Sequence, residues 1–491
     1  MKNNNFIKKD FFILILILSV AFIFRLYKIN IPLADLHSWR QVDTAAVARN
    51  FVKNGFDLFH PKYDDLSNVQ SGIDNPQGYR MVEFPIYNAI FAYLYKFIPI
   101  LSLEIWGRLT TIVFSLFIIA VLYYLLLKEN SRLSAIFGSF IYAVFPFFVF
   151  FSRVILPETV ALAFSMLAIF FFYLNSNYKR TNYKSIIYHL PSIIYYLLSI
   201  VFFALSLLIK PMLIFYLLPV IVLFYRKYKL NLIKKLDFYL YFVITLVPLI
   251  YWRFHIKNFP EGIPYSDWLF TSVNTAQGLK SILFRPSFFR WIFFERINNL
   301  ILGGYLTLFL VLGIISKHKK YLLISFVFSA LAYIFVFQGG NLQHEYYQTL
   351  ILPVLAMTIG LGVSFVFDHK KEFIHPIFIS IFIFFLIGFS FYFSYFKVIG
   401  YYQYSQELVQ EANIINSLTL PEDKIVTDRT GDTTLLYLSN RRGAPAIFKE
   451  PIELKSLGYK YLITSSDTQI KRMGSDYEIV FENEKFTLFK L

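Results

Sequence analysis

Long runs of apolar residues, separated by short polar connections, fill most of the chain between residues 11 and 396. Runs of roughly 17–25 apolar residues have the length that a helix needs to cross the hydrocarbon core of a bilayer. The pattern predicts a polytopic α-helical membrane protein with about 11 transmembrane helices. The predicted spans are Phe11–Tyr27, Trp106–Leu127, Leu133–Phe151, Leu156–Leu174, Pro191–Ile209, Met212–Tyr225, Phe238–Trp252, Ile297–Ile315, Tyr321–Phe337, Tyr347–Phe367 and Phe373–Phe396.

The segment Asn30–Ile105 is too long for a simple connection between the first two spans. It contains two stretches with helical spacing, "DTAAVARNFVKNGF" and the aromatic, amphipathic "PIYNAIFAYLYKFIPIL". Both are typical of helices that lie at the membrane surface. The second stretch could instead be a twelfth span, but one more crossing would invert the side of every later connection.

The pattern changes at Gly400. "QELVQEANIINSL" predicts a helix, "KIVTD" and "YKYLITSS" predict strands, and "YEIVFENEKFTLFKL" predicts a hairpin that turns at Asn483–Glu484. We therefore expect a membrane domain over residues 1–399, whose first outer loop is 28–105, followed by a small extracytoplasmic soluble α/β domain over 400–491.

Composition supports a membrane protein, because 57% of the residues are hydrophobic and only 16% are charged, against about 25% charged residues in soluble domains. The net charge of +16 would indicate nucleic acid in a soluble protein. Here Lys and Arg concentrate in every second connection between the predicted spans. This distribution is typical of cytoplasmic loops of a membrane protein and explains the net charge without nucleic acid. The chain has no cysteine, which excludes disulfides and thiolate chemistry.

Connections rich in Lys and Arg usually lie on the cytoplasmic side of a membrane. This rule places the N-terminus in the cytoplasm and the residues after the eleventh span outside. These connections are "KNNNFIKK", "KENSR", "NSNYKRTNYK", "RKYKLNLIKK", "SKHKK" and "DHKK". No small-residue cleavage site follows the first apolar segment, so we expect a retained span. The Lys-, Asn-, Ile- and Phe-rich composition is typical of an AT-rich bacterial genome, and we expect the bacterial inner (plasma) membrane.

Unusual polar residues gather in the connections of the opposite, outer side. Those connections are Asn30–Ile105, Ser152–Ile155, Lys210–Pro211, Arg253–Arg296 and Gln338–Tyr346. A polar cluster on one face of a helical bundle is typical of a membrane enzyme or of the mouth of a transporter. We expect these side chains to converge in one pocket at the outer rim.

Carboxylates supply the candidate chemistry. Asp43 lies close in sequence to Arg40 and Arg49, which would keep it ionised as a base or a cation ligand; a helix cap is the alternative. Glu158 and Arg153 lie at the outer ends of two spans, where Glu158 could equally complement a helix dipole after Pro157. Further polar pocket candidates are His37, Arg40, Glu83, His344 and Glu345.

Cations and tyrosines supply candidate phosphate ligands. Lys210 ends the fifth span as either a snorkelling anchor or a phosphate-binding ammonium. Tyr346 and Tyr347 fit either an interfacial aromatic belt or a ligand site. The sequence has no HExxH motif, and a carboxylate-bound divalent metal ion stays a possibility that no motif supports.

Three motifs together resemble the C-fold (GT-C) membrane glycosyltransferases. They are "WRQVDTAAVARNF" in the large first outer loop, "RVILPETVALAF" between the third and fourth spans, and "HEYY" before the late span ending in "LILPVLA". The similarity covers roughly residues 1–400. Within that fold it is to the polyprenyl-phosphate-sugar-dependent group, which includes protein O-mannosyltransferases and the aminoarabinose transferase of lipid A.

The resemblance implies a hexosyl or pentosyl transferase whose donor is a polyprenyl-phosphate sugar and whose acceptor is an envelope lipid, glycan or protein. It assigns the inverting base to Asp43 and the second acid to Glu158. The chain departs from the family pattern at Arg40–Gln41, where relatives carry an acid, and at Glu83, where relatives carry a lysine. Phosphate binding then falls to the residues Lys210, Arg153, Arg108, Arg49, Tyr346 and Tyr347.

Three other functions stay open at this stage. An oligosaccharide ligase or polymerase of the same fold would differ in the number of sugars on its donor. A membrane transporter would place ionisable residues near the middle of broken spans and often shows internal repeats, which this sequence does not show. A non-catalytic envelope scaffold or sensor would not need the cluster of Asp and Arg in the first outer loop.

Overall fold

The computed structural model of the chain describes residues 2–178, 186–264, 282–316, 321–369 and 375–491. The chain forms two compact units. The helical unit comprises Met1–Tyr27, Leu109–Trp252 and Trp268–Gly400. The mixed unit comprises Lys28–Arg108, Arg253–Asp267 and Tyr401–Leu491. The C-terminal segment therefore shares its unit with the first long loop, whereas the sequence predicted a separate domain over 400–491.

Helices account for most of the secondary structure. The α-helices are α1 (Lys2–Arg25), α2 (Ser38–Asn54), α3 (Ile86–Phe97), α4 (Leu103–Glu129), α5 (Arg132–Val144), α6 (Pro146–Phe151), α7 (Pro157–Ser176), α8 (Ile186–Ile209), α9 (Leu217–Tyr228), α10 (Leu236–Ile256), α11 (Pro286–Phe289), α12 (Thr307–Ile315), α13 (Tyr321–Val336), α14 (Gln338–Gln343), α15 (Leu352–Asp368), α16 (Pro376–Val398), α17 (Gln406–Leu418), α18 (Thr434–Leu438), α19 (Pro451–Ser456) and α20 (Asp467–Met473). Short 3₁₀ segments are Pro211–Tyr216, Lys229–Lys234, Ile282–Phe284, Glu345–Ile351 and Ile399–Tyr402, and Arg290–Ile301 is a π-helix.

Seven helices in the described part of the chain are long and apolar enough to cross a membrane, and two more, Arg132–Val144 and Tyr321–Val336, are apolar but shorter. The seven are Leu103–Glu129, Pro157–Ser176, Leu190–Ile209, Pro211–Lys234, Leu236–Ile256, Glu345–Asp368 and Pro376–Leu418. The protein is thus a multi-pass membrane protein, while the count of eleven spans stays a prediction.

Two predicted spans are interrupted. The predicted span Leu133–Phe151 divides at Phe145, because Pro146 lacks the N–H that would continue the helical ladder. The predicted span Ile297–Ile315 divides at Gly303 and Gly304, which both have positive φ. The predicted connections around 175–184, 253–296, 316–320 and 368–371, and the start of the span at Phe373, lie partly or wholly outside the described residues.

Glycines bring helices of the helical unit into close approach. A Cβ at Gly313 of α12 would lie 1.9 Å from the Thr358 carbonyl oxygen of α15, and one at Gly362 would lie 1.9 Å from the Phe309 carbonyl oxygen. Small residues let helix backbones pack closely in a membrane, where burial of apolar surface gives little driving force. The pair α12–α15 therefore depends on the absence of side chains at these two positions.

Helices α7 and α8 run antiparallel and are joined by buried hydroxyl groups. Ser206 Oγ donates to the Ala161 carbonyl oxygen over 2.9 Å, and Ser199 Oγ donates to the Ala168 carbonyl oxygen over 2.8 Å. These bonds fix the start of α7 beside the end of α8. The result places Glu158, in the first turn of α7, next to Lys210, which follows α8.

The C-terminal segment builds a five-stranded sheet in the order β2-β1-β3-β5-β4. The strands are β1 (Lys424–Thr427), β2 (Gly443–Ala444), β3 (Tyr459–Thr464), β4 (Glu478–Glu482) and β5 (Thr487–Lys490). The pairs β1–β2 and β1–β3 are parallel, and β3–β5 and β4–β5 are antiparallel. The predicted helix, strands and hairpin all form, and the sequence pattern missed the two-residue β2.

Successive side chains of β1 and β3 point to opposite faces of this sheet, and both faces are buried. Ile425 and Ile463 pack in one core with Leu435 of α18. Val426 and Leu462 pack in the other core with Leu454. The first long loop joins the same assembly at the edge strand β2, where the backbone N–H of Leu66 donates to the Gly443 carbonyl oxygen over 2.7 Å.

The two helices predicted to lie at the membrane surface differ from each other. Helix α2 buries most of its positions, including Asp43, Thr44 and Ala48, so it packs inside the mixed unit, and its place at the membrane surface stays a prediction. Helix α3 has 12 residues, which is about 18 Å of helix and too short to cross the roughly 30 Å hydrocarbon core. This length disfavours the twelfth span.

The close glycine contact yields a stability prediction. Gly313→Ala should lower the free energy of unfolding by about 1–3 kcal/mol, because the added methyl must displace the Thr358 carbonyl of α15. Gly388→Ala in α16 is the matched control, since a Cβ at Gly388 would meet nothing within 4 Å. The apparent melting temperature of the detergent-solubilised variants measures the difference. Equal melting temperatures would contradict the packing described.

Candidate active site

Asp43 is a buried carboxylate held between two chain segments that are distant in sequence. Its side chain is 2% exposed, and its Oδ2 lies 3.1 Å from an Arg80 guanidinium nitrogen. Thr433 Oγ1 donates a hydrogen bond of 2.6 Å to the other oxygen, Oδ1. Helix α2, the long loop and the C-terminal segment thus each contribute one of the three groups.

Hydrogen bonds at both sides of Asp43 fix helix α2. Before it, Gln41 Nε2 donates to Asp35 Oδ1 over 2.7 Å and to the Leu36 carbonyl oxygen over 2.9 Å. After it, Asn88 Nδ2 donates to the Thr44 carbonyl oxygen over 2.7 Å. The Asp43 side chain is therefore presented by a helix with little freedom to shift.

Arg80 is equally constrained. Its backbone N–H donates to the Pro61 carbonyl oxygen over 2.9 Å, and its guanidinium carbon lies 5.1 Å from the centre of the Tyr63 ring. Its side chain is 6% exposed. A guanidinium fixed against an aromatic face supplies a permanent positive charge at the Asp43 carboxylate.

Burial raises the pKa of Asp43 above the usual range of an aspartate, and this effect outweighs the opposing effects of Arg80, Thr433 and Arg40. The result is a stronger base than a free aspartate, held beside a cation that favours its charged form. Burial also raises the pKa of the nearby Asp65 to about 6, although Ser67 donates two hydrogen bonds to it.

The arginines that neighbour Asp43 in sequence bind other carboxylates. Arg40 pairs with Glu83, and Arg49 pairs with Asp64 while stacking 4.2 Å from the centre of the Tyr437 ring. The charge of Arg40, about one helical turn before Asp43, still favours the ionised form of Asp43, whereas the ion pair of Asp43 is with Arg80. Arg49, six positions after Asp43, lies on a different side of the helix.

Two other predicted residues have backbone roles. His37 precedes α2 with a φ of 56°, and its carbonyl oxygen accepts the first hydrogen bonds of the helix, from the N–H groups of Arg40 and Gln41. Arg108 is fully buried and donates to the carbonyl oxygens of Ile29 and Ile31 over 2.7 and 2.6 Å. Arg108 thus secures the start of the long loop, and its predicted contact with phosphate stays a prediction.

The helical unit contains a second buried pair. Lys210 Nζ lies 2.7 Å from Glu158 Oε1, with the two side chains 7% and 2% exposed. Glu158 occupies the first turn of α7 after Pro157, where the helix dipole favours a negative charge. Arg153 is fully buried near this helix start, with its guanidinium 6.0 Å from the centre of the Phe150 ring.

An aromatic cluster precedes α15 in the same unit. The rings of His344 and Tyr346 lie 5.3 Å apart, and those of Tyr346 and Tyr347 lie 4.6 Å apart, all nearly parallel. Glu345 forms an ion pair with Arg296. Tyr346 and Tyr347 are buried, which excludes a purely interfacial aromatic belt as the explanation of this pair.

The two candidate catalytic acids, Asp43 and Glu158, lie in different units and each has a cation beside it. Asp43 meets Arg80 and Thr433 in the mixed unit, and Glu158 meets Lys210 in the helical unit. The predicted convergence of the two clusters in one pocket stays a prediction. Among the described residues, no group of three or more His, Cys, Asp or Glu side chains is arranged to hold a metal ion.

Sequence reasoning missed Arg80 and Thr433. Thr433 lies 390 positions from Asp43, and neither residue stands in a motif with recognisable spacing. The only available signal was indirect, because a buried carboxylate requires a cation and hydrogen-bond donors from somewhere in the fold.

The buried pair Glu158–Lys210 yields the next prediction. Lys210→Met alone should destabilise the protein by about 3–5 kcal/mol, because it leaves Glu158 buried without its cation. Adding Glu158→Gln to the same chain should recover much of this loss. Unfolding of the two single variants and the double variant in detergent measures the coupling; strictly additive losses would show that the two side chains do not interact.

Comparison with solved structures places the fold. ArnT from Cupriavidus metallidurans superposes with a TM-score of 0.65 in the apo state and 0.62 bound to undecaprenyl phosphate, at 13% and 14% identity, with 97% of each chain covered. The oligosaccharyltransferase AglB from Archaeoglobus fulgidus, in complex with an inhibitory peptide and a dolichol-phosphate, gives 0.54 at 12% identity, with 93% of this chain and 70% of that chain covered. No family model and no curated protein matches the sequence. The chain has the GT-C fold of these membrane glycosyltransferases, as the motifs led us to expect.

Proposed function

We propose that the protein transfers a sugar from a polyprenyl-phosphate donor to an envelope acceptor hydroxyl, with Asp43 as general base. The observation that carries the proposal is the buried carboxylate of Asp43, basic through burial and fixed by Arg80 and Thr433. The fold supports it, since one solved neighbour binds undecaprenyl phosphate and another binds a dolichol-phosphate. The reaction takes place at the outer face of the plasma membrane, with the N-terminus cytoplasmic.

In this scheme Asp43 accepts the proton of the acceptor hydroxyl as the hydroxyl oxygen attacks the anomeric carbon. The bond between that carbon and the phosphate oxygen breaks, and polyprenyl phosphate leaves with the bonding electrons, so the configuration at the anomeric carbon inverts. General-base assistance contributes about 10²–10⁴-fold. Phosphate is a good leaving group, so the scheme needs no second carboxyl as an acid.

Lys210 is the proposed ligand of the donor phosphate. Glu158 holds the Lys210 ammonium in position in the resting protein, and an incoming phosphate provides a second anion for the same cation. Arg153, Tyr346 and Tyr347 lie in the same unit and are further candidates for contact with the donor.

An oligosaccharide ligase is the second candidate, and it is favoured by the likeness to the oligosaccharyltransferase AglB. The chemistry at the anomeric carbon would be similar, but the donor would carry several sugars. Assays with donors that carry one sugar and donors that carry many distinguish the two.

Asp43→Asn should abolish sugar transfer while the protein still folds, because the amide cannot accept the acceptor proton. The measurement is the release of polyprenyl phosphate and the formation of product from a radiolabelled polyprenyl-phosphate sugar by purified protein. Asp57→Asn is the matched control, since the Asp57 side chain is 60% exposed and bonds His60 and the backbone N–H groups of Phe59 and His60. Transfer by Asp43→Asn at the wild-type rate would remove Asp43 from the mechanism.

The double variant Glu158→Gln/Lys210→Met should raise the donor KM about tenfold or more, because a charge-assisted bond to the phosphate is lost. Both charges are removed together, so the folding cost of an unpaired buried ion is avoided. The acceptor KM should stay at the wild-type value. An unchanged donor KM would reject Lys210 as the phosphate ligand and shift that role to Arg153.

A further inference from the structure

We propose that Thr433, from the C-terminal segment, is a positioning residue for the reaction, since its hydroxyl orients the Asp43 carboxylate. This inference rests on the proposed function, in which Asp43 is the base. It assigns to the C-terminal segment a direct part in the chemistry rather than a role as a separate module.

The side chain of Thr433 does not cap helix α18, although Thr433 stands at the N-cap position. Thr433 directly precedes helix α18, the position where a threonine hydroxyl usually caps the helix, yet it makes no such cap. Asp432 takes over that task, because its Oδ1 accepts a hydrogen bond of 2.8 Å from the Thr434 N–H. The Thr433 hydroxyl, 2% exposed as a residue, is thereby available to donate to Asp43.

Helix α18 is fixed onto helix α2 by further hydrogen bonds. Thr434 Oγ1 donates to Ser38 Oγ over 3.0 Å, and Arg49 donates to the Tyr437 carbonyl oxygen over 2.8 Å. The Tyr437 hydroxyl in turn donates to Glu104 Oε1 over 2.7 Å. The position of the Thr433 hydroxyl is thus set by neighbours that do not touch Asp43.

The two donors occupy different oxygens of the carboxylate. Thr433 binds Oδ1 and Arg80 binds Oδ2, so together they fix the plane of the group. An ionised carboxylate has about four lone-pair sites, which leaves capacity for the proton of an acceptor hydroxyl. A hydrogen bond to the charged form also favours that form, so Thr433 opposes the effect of burial on the pKa of Asp43.

Other charged or titratable groups that act on Asp43 come from helix α2 and from the long loop. They are Arg80, Arg40, Asp64, Asp65 and Tyr63. Substitution of Thr433 leaves all five in place. A shift in the pH profile after that substitution therefore reports the hydroxyl alone.

The test is the pH dependence of kcat/KM for the full-length protein with a polyprenyl-phosphate sugar. Thr433→Val keeps the side-chain shape and removes the hydroxyl that donates to Asp43, so the pKa of Asp43 should rise. The acidic limb of the profile, where kcat/KM falls as Asp43 is protonated, should then move to higher pH, and kcat/KM at pH values below this limb should fall about tenfold. The donor KM should not change. Thr433→Ser should restore the wild-type limb, and Thr427→Val, whose buried hydroxyl bonds the Ala444 carbonyl oxygen instead, should leave it in place.

An unchanged acidic limb in Thr433→Val, or the same shift in Thr427→Val, would overturn the inference. If Thr433→Val fails to fold, Thr433→Ala takes its place with the same expected shift, again compared with Thr433→Ser. Failure of the proposed function gives a different result, namely no release of polyprenyl phosphate by the wild-type protein or full activity in Asp43→Asn.

Discussion

A buried carboxylate needs compensation, and the arrangement of the mixed unit around Asp43 meets that need. Burial disfavours the charged form of a carboxyl group unless a cation and hydrogen-bond donors are supplied. Arg80 supplies the cation and Thr433 supplies a donor, and these residues come from two chain segments that lie far apart in sequence. The assembly of residues 28–108 with 401–491 in one unit is therefore what makes an ionised Asp43 compatible with its burial.

The same physical requirement recurs in the helical unit. Glu158 and Lys210 are both almost fully buried and lie 2.7 Å apart at the junction of α7 and α8. Removal of two charges from water costs several kcal/mol for each ion, which a good pair roughly repays. Such a pair contributes little net stability but keeps an ammonium inside the helical unit. This is the property that binding of a lipid phosphate requires.

The sequence predicted the larger part of the fold because hydrophobic periodicity is a local property. Long apolar runs located most helices, and alternation located the hairpin Glu478–Lys490 and the strand at Tyr459. Asp43 was chosen as the candidate base because a carboxylate close in sequence to arginines is unusual in an apolar chain, and its catalytic role stays a prediction. The helix breaks at Pro146 and at Gly303 were not predicted, because a run of apolar residues does not show where tertiary packing interrupts a helix.

The partners of Asp43 could not be predicted for a different reason. Arg40 and Arg49 lie near Asp43 in sequence, but helix α2 directs them to Glu83 and Asp64. Arg80 and Thr433 reach Asp43 only through tertiary structure, and Thr433 does so because Asp432 caps helix α18 in its place. Side-chain pairing between distant segments depends on the whole fold rather than on local pattern.

The most direct test of this account is a titration of the Asp43 carboxyl by infrared difference spectroscopy, with Asp43→Asn used to identify its band. The account predicts a pKa above the roughly 3.9 of a free aspartate, because burial is the dominant influence. It also predicts a further rise in Arg80→Met, which lacks the cation that favours the charged form. A pKa at or below the free value, unaffected by loss of Arg80, would contradict the account.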